Sequence, residues 1–245
     1  MNPKSNTLFH FTKNVITLQS ILKNGFWPRY CQEDVSLLTQ DQFDFISFPM
    51  VCFCDIPLSR IEDHVGFYGR FGLGMSRKWA EQNGLNPVLY LPTSNTLSKQ
   101  LLKLNEFSHK LPDAYRNKSL VTNRYIYAHT KPGRGTMIVA GVPAKKDFYN
   151  ECEWRFVATH VEIDAYLTKL KHEKDDVLDK ANNLTREHCM LSFDPGDVRY
   201  IFVELDSDIP SMMNFIQSEL DGHSGAALKI LSSRVLSLES LNGDL

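Results

Sequence analysis

Tyr149-Asn150-Glu151-Cys152-Glu153-Trp154-Arg155-Phe156-Val157-Ala158 alternates charged and apolar residues with a period of two. That period belongs to a β-strand with two unlike faces. Cys152, Trp154, Phe156 and Ala158 fall on one face, and Glu151, Glu153 and Arg155 on the other. The alternation predicts an apolar row toward the core and a charged row away from it. Consecutive carboxylates on such a face would stand about 7 Å apart.

Working outward from this strand, the pattern keeps changing between strand and helix without strict alternation. Thr7 to Phe11 reads as a strand, and Leu18, Ile21 and Leu22 recur at helical spacing until Asn24-Gly25 supplies a left-handed stop. Met50 to Phe53 reads as a buried strand closed at Pro57, and the glycines at 66, 69, 72 and 74, interleaved with Phe67, Tyr68 and Phe71, as a flexible aromatic loop. Ser76 caps a short helix that stops at Gly84. A strand is expected at Val88 to Leu91, a helix after Ser94, a buried strand at Thr136 to Ala140 and a long helix from Ile163 to Leu184. The carboxyl-terminal part reads as a strand at Val198 to Leu205, a helix at Pro210 to Leu220 opened by proline, and a strand pair at 227–231 and 235–238. The expected fold is α+β, a mixed or antiparallel sheet flanked by helices. No linker or repeat interrupts the 245 residues, so a single domain over 1–245 is expected, with a helical, basic insertion at about 94–135.

Hydrophobic residues make up 42% of the chain and aromatics 11%, which suits a globular protein and excludes a disordered one. No apolar run reaches the roughly 20 residues of a membrane helix, and MNPKSNTLFHF lacks the apolar segment of a signal peptide. A cytoplasmic protein is expected. Cys31, Cys52, Cys54, Cys152 and Cys189 are an odd set without framework spacing, so no disulfide is expected. Cys52-x-Cys54 has no second thiol pair to complete a zinc site, and no metal is expected.

The net charge of −2 conceals a local excess. Residues 99–134 carry eight cations (Lys99, Lys103, Lys110, Arg116, Lys118, Arg124, Lys131, Arg134) against Glu106 and Asp113, hence +6 there and −8 elsewhere. Such a stretch is either a solvated helical face or a surface for a phosphate-bearing partner such as a nucleic acid or a dinucleotide. A metal-dependent nuclease fits poorly, because no acidic cluster beyond Glu151 and Glu153 has metal-ligand spacing.

Two sets of residues have the chemistry of a site. Glu151 and Glu153 on one strand face could hold a sugar hydroxyl and stabilise an oxocarbenium-like ribose, with Arg155 orienting a carboxylate. The plainer alternative is a solvent-facing strand with ordinary charge pairs. His10 lies just before a turn, where its imidazole and the Thr12 hydroxyl could meet a ligand, or where Thr12 or Asn14 simply caps a helix. Phe53, Phe67 and Tyr68 could wall a flat ring or belong to the core.

Taken in order, Leu8-Phe9-His10-Phe11-Thr12, Leu18-x-x-Ile21-Leu22-x-x-Gly25-Phe26, Val51-Cys52-Phe53-Cys54-Asp55 and Tyr149-Asn150-Glu151-Cys152-Glu153 resemble the ADP-ribosyltransferase superfamily in its diphtheria-toxin and poly-ADP-ribose-polymerase branch. The resemblance implies NAD as substrate, His10 against ribose or nicotinamide with Thr12 beside it, Tyr68 stacking the ring, and a glutamate positioning the ribose. Asn150-Glu151 selects Glu151 for that last role, whereas Glu-x-Glu-Trp-Arg favours Glu153 with Glu151 assisting. Cys52 stands where that branch has a strand tyrosine, a departure that allows a reshaped pocket or a lost activity. Over nearly the full length, Cys52-Phe53-Cys54-Asp55-Ile56-Pro57, Tyr68-Gly69-x-Phe71-Gly72 and Glu151-Cys152-Glu153-Trp154-Arg155 also resemble the AbiGi family of bacterial abortive-infection proteins. This implies a phage-defence role. Two functions follow as expectations: an NAD-dependent ADP-ribosyltransferase or NAD hydrolase, or a non-catalytic antitoxin that binds a toxin, a phage protein or a nucleic acid through 99–134.

Overall fold

A computed structural model describes residues 6–39, 44–92, 96–139 and 142–242. The fold is mixed α and β, with mostly antiparallel strand pairing. The chain divides into two compact units, each assembled from separated segments.

The first unit comprises 1–26, 52–85 and 191–245. Its central strand, Thr7–Thr12, pairs antiparallel along its whole length with Phe71–Ser76, from Thr7 opposite Ser76 to Thr12 opposite Phe71. Phe71–Ser76 pairs in turn with Val198–Val203, which runs parallel to Val235–Ser237. On its other side Thr7–Thr12 meets the strand that ends at Cys54, Phe9 opposite Cys54. The helix Val15–Asn24 is capped by Asn14, whose side chain accepts from the Thr17 N–H, and it buries Leu18, Ile21 and Leu22 before stopping at Gly25.

Two expectations change in this unit. The glycine-rich segment is a helix, Ile61–Tyr68, followed by the strand Phe71–Ser76, not a loop. Its glycines serve close packing: a Cβ on Gly72 would lie 2.5 Å from a Phe11 ring carbon, and one on Gly74 would touch Thr7, Phe9 and Tyr200. Gly69 has φ +117, and a Cβ there would fall 2.1 Å from the Thr12 carbonyl oxygen. Residues 227–231 lie in a helix, Gly225–Ser232, because Ser224 caps it and Leu228, Leu231 and Ser232 bury at helical spacing. A short apolar run does not distinguish the two states, and here the cap decides.

The second unit comprises 27–51 and 86–190. The strand Phe45–Cys54 begins here, where it pairs antiparallel with Arg29–Asp34 and with Leu167–Thr168 and lies beside Glu153–Val157. Glu153–Val157 pairs with the short strand Asn86–Pro87. Leu89–Leu91 runs parallel to Thr130–Pro132, and Gly135–Val139 forms a hairpin with Val142–Lys146. The basic stretch is mainly two helices, Thr96–Lys110 and Asp113–Ala128. The expected cap at Ser94 and the end of the expected strand at Ala140 lie outside the described residues, as does the expected burial of the side chains at 136–140.

The long helix expected from Ile163 is broken. Leu167–Thr168 is a strand, Lys169–His172 one helical turn, and the true helix is Asp175–His188. Its inner contacts are polar: Asn182 Oδ1 accepts from the Tyr30 N–H, and the Thr185 hydroxyl donates to the Pro28 carbonyl while accepting from the Trp27 indole N–H. Leu170, expected on the apolar face, is exposed.

Candidate functional site

His10, Thr12, Phe53 and Tyr68 belong to the first unit, and Glu151, Glu153 and Arg155 to the second. Alternation along Thr7–Thr12 sends Phe9 and Phe11 to one face and His10 to the other. His10 is the one residue of its strand that is not fully buried. Its ring meets Phe26 edge-on at 5.2 Å and Phe53 at 5.5 Å, and Phe26 and Phe53 continue into Trp79. Nδ1–H donates to the Cys52 carbonyl at 2.8 Å. Burial lowers the imidazole pKa, against the opposing effect of that bond. Thr12 is buried, and its hydroxyl donates to the Asn14 carbonyl at the start of the following helix.

Tyr68 lies elsewhere. Its ring stacks on His64 at 4.4 Å and packs against the cluster of Phe9, Phe11, Ile61 and Val65. That is the face of the strand opposite His10. The structure therefore brings His10 and Phe53 together and leaves Tyr68 out of their company.

The acidic strand presents the larger surprise, since its charged row is the inward one. Glu153, Arg155 and Val157 are buried, whereas Trp154 and Phe156 are half-buried. Glu151 joins them from a short 3-10 turn, Phe148–Glu151, because Cys152 takes the left-handed conformation at φ 44. A non-glycine residue held there costs about 1–3 kcal/mol and persists only where its surroundings demand it. Arg155 donates from Nε to Glu153 Oε1 at 2.7 Å, from Nη2 to Glu153 Oε2 at 3.2 Å and from Nη1 to the Ala128 carbonyl at 2.6 Å, and Nη2 lies 2.9 Å from Glu33. Lys131 bridges Glu151 at 3.1 Å and Glu153 at 2.9 Å, and Lys146 reaches Glu151 at 2.7 Å.

Three carboxylates thus face three cations largely shielded from water, a balance that such burial requires. Burial alone would lower the Lys131 pKa, but Glu153, Glu33 and Glu151 hold it well above the ordinary lysine value. The Glu153 N–H donates to the Tyr90 hydroxyl at 2.8 Å, and burial raises the pKa of that phenol. Lys131, Lys146, Glu33 and Tyr90 have no sequence signal, since their importance depends on which strands become neighbours. A hollow of about 310 Å³ lined by Tyr90, Leu91, Pro92, Gly133, Arg134 and Tyr149 adjoins this cluster, and Arg134 is the charged residue among its described walls.

The basic stretch is less exposed than its sequence implies. Arg124 is buried, donates to Asn105 Oδ1 at 3.0 Å and lies over the Tyr127 and Tyr166 rings. Lys131 is committed to the ion cluster, and Arg116 pairs with Asp113.

A family model described as abortive phage resistance protein AbiGi, antitoxin, matches residues 24–204, about three quarters of the chain. The chain belongs to the AbiGi family. Abortive phage resistance protein AbiGi of Lactococcus lactis subsp. cremoris is 28% identical over 251 residues, covering 90% of this chain and 99% of that protein. No solved structure matches. The AbiGi match takes in the whole ion cluster, both helices of the basic stretch, Phe53 and Tyr68, and begins after His10 and Thr12. Among the described residues of this AbiGi member, no three His, Cys, Asp or Glu side chains gather as a metal site, and no helix is long and apolar enough to cross a membrane. No disulfide joins the cysteines among the described residues; Cys54 is buried and Cys52 partly so.

Proposed function

We propose that this AbiGi-family chain serves anti-phage defence as a non-catalytic antitoxin, acting by binding a toxin protein rather than by transferring ADP-ribose from NAD. The observation that supports this reading is the closed ion cluster. A glutamate that positions a ribose needs a carboxylate oxygen open to a sugar hydroxyl, and its effect must strengthen in the transition state. Both Glu153 oxygens accept from Arg155, and Oε2 also meets Lys131; Glu151 is held by Lys131 and Lys146. The tyrosine expected to stack nicotinamide lies across the strand from His10. Cys52 in place of the superfamily's strand tyrosine points the same way.

The test has two arms. Purified chain mixed with NAD and cell extract is expected to release no nicotinamide beyond a blank and to label no product, with wild type and Glu153→Gln alike. Release by wild type that Glu153→Gln abolishes would establish the NAD-using alternative and overturn this reading. In the second arm, co-expression with the product of the neighbouring gene is expected to restore growth and give a complex of fixed stoichiometry.

A further inference from the structure

The two helices of the basic stretch bury polar side chains between them, beside Leu102, Tyr127 and Ala128. Hydrogen bonds cross between Thr96–Lys110 and Asp113–Ala128: Ser108 to Ser119 at 2.7 Å, Asn123 to Ser108 at 2.7 Å, Arg124 to Asn105 at 3.0 Å, and the Tyr127 hydroxyl to the Leu101 carbonyl at 3.2 Å. Ser98, Asn105 and Ser108 are buried, while Leu97 is 45%, Leu104 42%, Phe107 61% and Leu111 36% exposed. A helix that buries Ser98, Asn105 and Ser108 beside Leu102 while showing Leu97, Leu104 and Phe107 to water departs from the ordinary arrangement of a surface helix.

The exposed residues are ordered. Leu97, Gln100, Leu104 and Phe107 of the helix Thr96–Lys110 are separated by steps of three, four and three, the spacing that makes one seam along a helix for another helix to fill. The exposed Lys103 and Lys110 border this seam on the side away from the buried face, with Lys99 beyond them. Glu106 stands still farther round the helix, so no carboxylate of Thr96–Lys110 itself borders the seam.

We propose that this seam docks an amphipathic helix of a partner protein, one whose apolar stripe is flanked by aspartate or glutamate. The identity of that partner as a toxin rests on the antitoxin reading above; the seam itself does not. Charge decides against a second copy of this chain, because its own seam offers only lysines to Lys103 and Lys110. The paired elements are complementary in the way that fixes partner choice in helix pairs: apolar knobs supply the attraction and flanking charges exclude the wrong partner.

The test uses the full chain and two synthetic helices of about three heptads, with leucine at both seam positions and either glutamate or lysine flanking them. Fluorescence anisotropy should show the glutamate helix bound at least tenfold more tightly than the lysine helix. Leu104→Glu and Phe107→Glu should each weaken it tenfold or more, and Lys103→Glu/Lys110→Glu should reverse the preference. These positions are exposed, and unchanged circular dichroism and melting would show the fold kept. Equal binding of both helices, binding by neither, or indifference to Phe107→Glu would overturn the proposal, as would a stable dimer of wild type in sedimentation that Phe107→Glu dissolves. Growth rescue by the co-expressed chain is read separately, so a chain that rescues but ignores the glutamate helix loses the seam and keeps the antitoxin reading.

Discussion

Arg155 and Glu153 stand two residues apart on one strand and hold each other through two bonds, Nε to Oε1 at 2.7 Å and Nη2 to Oε2 at 3.2 Å, with the guanidinium wholly removed from solvent. Strand alternation puts both on one face, but it does not make that face internal. The Ala128 carbonyl, Glu33 and Lys131 do so, by completing the bonds that a buried charge requires.

Removing one member should therefore cost far more than a surface pair would. Arg155→Met leaves Glu33 and Glu153 short of a cation, and urea unfolding should record a loss of about 3–5 kcal/mol. Arg155→Lys should recover only part of it, because a single ammonium does not span three acceptors in the guanidinium plane. A loss below about 1 kcal/mol for Arg155→Met would mean that the pair is worth no more than an exposed one.

Stability should fall on mild acidification, from histidine. Burial lowers the pKa of His10, His129 and His172 below the ordinary value of 6.5. As pH drops through 6.5 the unfolded chain takes up protons that the folded chain refuses, so unfolding becomes easier until the folded pKa values are passed. The urea midpoint should decline from about pH 7 toward pH 5. His10→Asn, by removing one of the three, should make that decline shallower than in wild type, and an unaltered slope would show that His10 titrates normally in the fold.

Charge reversal in the basic stretch should separate surface from interior. Lys118 is exposed, so Lys118→Glu should alter stability by about 0.5 kcal/mol or less. Arg124→Glu places a carboxylate among Asn105, Tyr127 and Tyr166 and should cost about 3–5 kcal/mol. Melting curves of the two variants should differ plainly. Similar curves would mean that Arg124 turns outward in solution.

The legible parts of the fold were those that local chemistry sets. The Val15–Asn24 helix follows from Leu18, Ile21 and Leu22 with Asn14 and Gly25 at its ends, and the short helix after Ser76 from its cap. Strand and helix could not be told apart where the run was short, at 227–231, nor could close packing be distinguished from looseness at Gly72 and Gly74. The glycine signal is identical in both cases, and the rings that select between them, Phe11, Phe9 and Tyr200, come from other strands. The candidate site shows the same division: Glu153 and Arg155 were visible as a same-face pair, whereas the cations that occupy Glu151 and Glu153 were not.

By itself, the sequence determined an α+β chain, its principal periodic elements, the two-sided strand at Glu153 and the kinship with AbiGi proteins, because periodicity, caps and family motifs are written along the chain. Only the tertiary structure decided that the charged side of that strand faces inward and that Leu97, Leu104 and Phe107 of Thr96–Lys110 face water. Periodicity tells a face from its opposite but not inside from outside; that depends on whether distant residues such as Glu33, Lys131 and Lys146 arrive to neutralise what is buried.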